Sequence, residues 1–70
     1  MLRAAIAQRL GDRVEVTRVV PSDNGLVLVL VHLPDLPVGE LLRLKGWMQT
    51  ELLALSAEQP EGTIIVPAYD

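Results

Sequence analysis

Gly25 to Leu33 read GLVLVLVHL, with no charge and one polar side chain, the ring of His32. Successive side chains of a strand point to opposite faces, so a strand with one wet face alternates apolar with polar residues. Here one set is Leu26, Leu28, Leu30 and His32, and the other is Val27, Val29, Val31 and Leu33. A strand apolar on both faces belongs at the centre of a sheet that is covered above and below. At an edge it would be an open template for aggregation. The chain has 70 residues with which to provide that cover. A domain of this size buries only about 60% of the surface its unfolded form exposes. Small domains often add disulfides, a metal or a partner. The chain has no Cys, which removes disulfides, thiolate metal sites and thiol redox chemistry and fits a reducing cytoplasm.

The rest of the sequence orders the elements around that strand. Leu2, Ile6 and Leu10 recur every fourth residue and predict a helix over 1–10, with Gly11 as its left-handed stop. MLRAAIAQRL is Arg-bearing and acid-free, like the start of an organellar presequence, but it lacks Ser and runs straight into a strand signal. We read it as a folded helix. RVEVTRVV predicts a strand over 13–20, with Val14 and Val16 on one face and Glu15, Thr17 and Val19 on the other. PSDNG is turn chemistry, so a hairpin leads into a second strand over 25–33. LPDLP ends that strand. A helix over 38–56 follows, with Leu41, Leu44, Met48, Leu52 and Leu55 in one narrow sector. AEQPEG breaks it, and TIIVP gives a third strand over 63–67, stopped by Pro67.

The predicted fold is therefore α+β: a single α-β-β-α-β domain over residues 1–70. Its three-stranded mixed sheet has order 1-2-3 with strand two central. Two helices that share one core must lie on one face, which leaves the other face of the sheet bare. Such a patch, several hundred Å², is more than a monomer usually exposes. A second chain would cover it, most simply as a homodimer. We name Val27, Val29 and Val31 as the interface set, although the sequence does not say which face is open. Trp47 lies on one flank of the long helix, and Leu42, Gly46 and Leu53 form a seam on the other. We add these four to the interface candidates, since Trp is enriched at binding hot spots. A further protein partner is compatible with them.

Several function classes are excluded on these grounds. Ser22 and Ser56 both lie too far from His32, the one histidine, to form a nucleophile pair. Gly11, Gly25, Gly39, Gly46 and Gly62 stand alone, so no phosphate-cradling loop is present. Net charge is −3, and Arg3, Arg9, Arg13 and Arg18 are spaced as a solvated face rather than a nucleic-acid stripe. The longest uncharged run, Asn24 to Pro34, is too short to span a membrane as a helix. The expectation is a non-catalytic interaction module, cytoplasmic, without a cofactor, and binding neither nucleic acid nor membrane. The alternative is a regulatory domain for a small ligand or divalent metal at the carboxyl edge of the sheet. That edge would gather His32, Asp35 and Asp70 with Arg13, Glu40 and Tyr69.

The α-β-β-α-β order is similar to that of cation diffusion facilitator carboxy-terminal domains, iron–sulfur scaffold domains and KH-like ribosome-associated domains. The similarity is one of order alone. The Cys pair, the GXXG loop and the last-strand His of those families have no counterpart here, so no functional residue is carried over.

Overall fold

The computed structural model describes residues 2–69. Helix α1 spans Leu2–Leu10, strand β1 Glu15–Pro21, strand β2 Leu26–His32, helix α2 Val38–Ala57 and strand β3 Ile64–Tyr69. The sheet order is β1-β2-β3. β1 pairs antiparallel with β2, and β2 pairs parallel with β3. The apolar strand is central, as its composition requires, and both helices contribute to one core on one side of it. Ile6 and Leu10 of α1 and Leu44, Met48, Leu52 and Leu55 of α2 are buried there with Val27, Val29, Val31 and Ile65. Leu41, the fifth residue of the predicted α2 stripe, is only half-buried.

Local chemistry sets the boundaries. Gly11 has φ +62° and donates its N–H to the Ala7 carbonyl, closing α1. The hairpin turns at Ser22–Gly25. The Ser22 hydroxyl donates to the Leu26 carbonyl, and the Leu26 N–H donates to Asn24 Oδ1. An ion pair between Arg9 and Glu58 ties the end of α1 to the end of α2.

Two details depart from the sequence expectations. The first is in β1. Val16 pairs with Val31 and Arg18 with Leu30, so Thr17 is an extra residue in a bulge. Its hydroxyl donates to the Leu30 carbonyl. The extra residue reverses the alternation, and Val19 joins Val16 against the core instead of facing away from it.

The second is in β3, which runs through Pro67 to Tyr69 instead of stopping at Pro67. The reason is the direction of the missing donor. Ile64 donates its N–H to Gly25 of the β2 side, so by alternation the N–H positions of Ile65 and Pro67 point to the free edge. A proline there removes no bond from the ladder.

The outward N–H of Ile65 is not left open. It donates to Ser56 Oγ at 2.9 Å, while that hydroxyl donates to the Leu52 carbonyl at 2.8 Å. One side chain thus links the last turn of α2 to the edge of β3. Ser56→Ala should leave the N–H of a buried residue unpaired and lower stability by about 1–3 kcal/mol. Urea unfolding of the two proteins measures this, and an unchanged midpoint would show that water replaces the hydroxyl at no cost.

Candidate functional site: the uncovered face of the sheet

The structure corrects the choice of face. Val27, Val29 and Val31 are 5%, 0% and 0% exposed and lie under the helices, so they cannot meet a second chain. The open face carries the other set. Leu26, Leu28 and Leu30 of β2 are flanked in register by Val20 of β1 and by Ile64, Val66 and Ala68 of β3. Leu28 is 36% and Ile64 53% exposed, and the others are half-buried only by their neighbours in the sheet. No helix crosses this side. At one end of the face, Glu15 sits opposite His32, and Arg18 sits opposite Leu30. Its polar margin is therefore mixed in charge, and its centre is aliphatic.

Both edges of this sheet are poor templates for a further strand. On β3 the two outward donor positions that precede Tyr69 are the Ile65 N–H, held by Ser56, and Pro67, which has none. On β1 the Ser22 N–H bonds inward to the Leu26 carbonyl, so Pro21 again falls where an outward donor would be. The Thr17 bulge breaks the rest of that edge. Such edges disfavour strand addition, so this sheet can bury further apolar area through its open face and not along its edges.

The other interface candidates divide. Leu42 and Leu53 are 64% and 57% exposed, and a side chain at Gly46 would meet nothing within 4 Å. The seam on α2 is thus real and uncovered, but Gly46 serves no close approach within the chain. Trp47 does not stand out from the surface. It is half-buried against the core, with the Arg13 guanidinium 4.5 Å from its ring centroid. On the β3 edge, Lys45 Nζ lies 4.7 Å from the Tyr69 ring centroid, and burial raises the Tyr69 phenol above its ordinary 10.0.

The carboxyl edge of the sheet is less gathered than expected. His32 is exposed and lines a shallow cleft of about 210 Å³ with Asp12, Arg13, Val14, Glu15 and Pro34. Asp35 lies outside that lining, on the exposed loop between β2 and α2, and Asp70 lies outside the described residues. Glu40 faces a different groove, beside Trp47, and Arg13 borders both. Among the described residues, no group of three or more His, Asp or Glu side chains could hold a metal ion. No helix among them is long and apolar enough to cross a membrane. Sequence reasoning missed the Arg13–Trp47 pairing, because nothing local connects a residue of the α1–β1 loop with one in the middle of α2.

No family model matches the chain, and neither the curated proteins nor the solved structures contain a significant match to it.

Proposed function

We propose that this chain is a non-catalytic interaction module that self-associates through the leucine face of its sheet. The observation that carries this reading is the continuous aliphatic surface formed by Val20, Leu26, Leu28, Leu30, Ile64 and Val66, on a sheet whose edges are blocked. Burying a whole Leu or Ile side chain is worth roughly 1.5–3 kcal/mol, and half-exposed ones regain part of that. For a domain whose total stability is on the order of 5 kcal/mol, removing this face from water is a large stabilisation.

A two-fold axis through the face would make a four-layer sandwich, helices outside and two sheets within. Sheets stack about 10 Å apart in such an arrangement, with side chains interdigitated. Sedimentation equilibrium at micromolar concentration tests the proposal, and a dimer is expected. A monomer of 7.7 kDa that melts cooperatively at every concentration would end it.

A further inference from the structure

We propose that the groove beside Trp47 binds a free α-amino acid with an apolar side chain. This proposal is independent of self-association, because the groove lies on a flank of α2, away from the open face of the sheet. The groove has a volume of about 550 Å³ and is lined by Arg13, Leu36, Glu40, Arg43, Leu44 and Trp47. That volume falls in the range of small-molecule sites and accommodates the largest apolar side chains.

The charges in it are unusual for this chain. Acidic residues outnumber basic ones, nine to six, yet two arginines and a single glutamate line this groove. Among the described residues the ion pair within 4 Å is Arg9–Glu58, elsewhere in the molecule. Arg13 lies over the indole face with its outer N–H groups still open to a ligand, and among the described residues Arg43 and Glu40 make no ion pair. Glu40 and Arg43 are three residues apart on α2, hence neighbours on one side of the helix.

The combination selects one chemistry. Two arginines exclude a metal cation, and they leave a plain hydrocarbon without use for the charged rim. Glu40, in a chain of net charge −3, opposes a phosphate or a nucleotide. A zwitterion satisfies all three groups. Its carboxylate accepts from Arg43 and from the outer N–H groups of Arg13, and its ammonium donates to Glu40. Its side chain then lies over Leu36, Leu44 and the edge of the indole, whose face Arg13 already covers.

Trp47 is the one tryptophan, so its emission, excited where tyrosine does not absorb, reads the groove directly. Titration with L-leucine and with L-phenylalanine should give a saturable change. Leucinamide, which lacks the carboxylate, and N-acetyl-leucine, which lacks the ammonium, should each bind at least tenfold more weakly. Glu40→Gln and Arg43→Gln change exposed side chains and should keep the fold by circular dichroism while weakening L-leucine at least tenfold. Leu28→Lys, on the opposite side of the sheet, should bind it as the wild type does. The proposal is overturned if neither amino acid gives a saturable signal by fluorescence or by titration calorimetry. It is equally overturned if N-acetyl-leucine binds as tightly as leucine, or if the two α2 variants bind unchanged.

Discussion

Leu28→Lys should sediment as a monomer at concentrations where the unmodified chain is a dimer, with a dissociation constant at least 100-fold weaker. Leu28 lies in the middle of the central strand, between Val20 and Val66 in register, so a two-fold through the open face brings its two copies close together. A lysine there would place two ammonium groups in a desolvated, aliphatic contact. A 100-fold loss corresponds to about 2.7 kcal/mol, within the cost of burying an unpaired charge. In the separate subunit the same lysine is harmless, because Leu28 is 36% exposed and the ammonium reaches water along its own stem. The adjacent position supplies the control. Val29 is 0% exposed, and Val29→Lys would bury its charge in the subunit's own core and abolish folding. One step along the strand therefore separates a variant that dissociates from a variant that unfolds. If Leu28→Lys leaves the assembly intact, the leucine face is not the contact.

That contrast also marks where sequence and structure part. The order of elements, the central place of β2 and the stripe Leu44, Met48, Leu52 and Leu55 on α2 follow from periodicity and turn chemistry, and they were legible. The side of β2 that faces the helices was not. Alternation carries information only when the two faces differ in polarity, and leucine alternating with valine provides no such difference. β3 repeats the ambiguity, with Ile65 inside and Ile64 outside. β1 would have broken the tie had it been regular, but the Thr17 bulge moves Val19 to the face opposite the one its spacing from Val16 predicts.

Pro67 misled for a related reason. A proline in a strand is read as a stop because it lacks a donor, yet whether a donor is needed depends on which way that peptide points. Here it points to the free edge, where the loss protects the sheet. The groove beside Trp47 was hidden because it joins a loop residue, Arg13, to the middle of a helix. Its members were each visible, but only the fold shows them together.

The second large effect is expected at Gly25, which stands where the hairpin hands over to β2. Its φ is +87°, in the left-handed region that side chains rarely adopt, and a Cβ placed on it would lie 2.4 Å from the Gly62 carbonyl oxygen. That obstacle is backbone, so no rotamer change relieves it. Moving Gly62 away would also pull on the bond from the Ile64 N–H to the Gly25 carbonyl, which opens the parallel pairing of β2 with β3. Gly25→Ala should therefore cost about 2–4 kcal/mol, enough to leave a domain of this size largely unfolded. Gly62 separates the two causes. Its φ is +93°, but nothing lies within 4 Å of a Cβ built there, so Gly62→Ala carries the conformational cost alone, about 1–2 kcal/mol. Urea unfolding of both variants in the Leu28→Lys background removes any contribution from assembly. Equal destabilisation at the two glycines would mean that the approach of the Gly25 and Gly62 backbones relaxes freely. A clear excess at Gly25 would identify that approach as the point where the starts of β2 and β3 are locked in register.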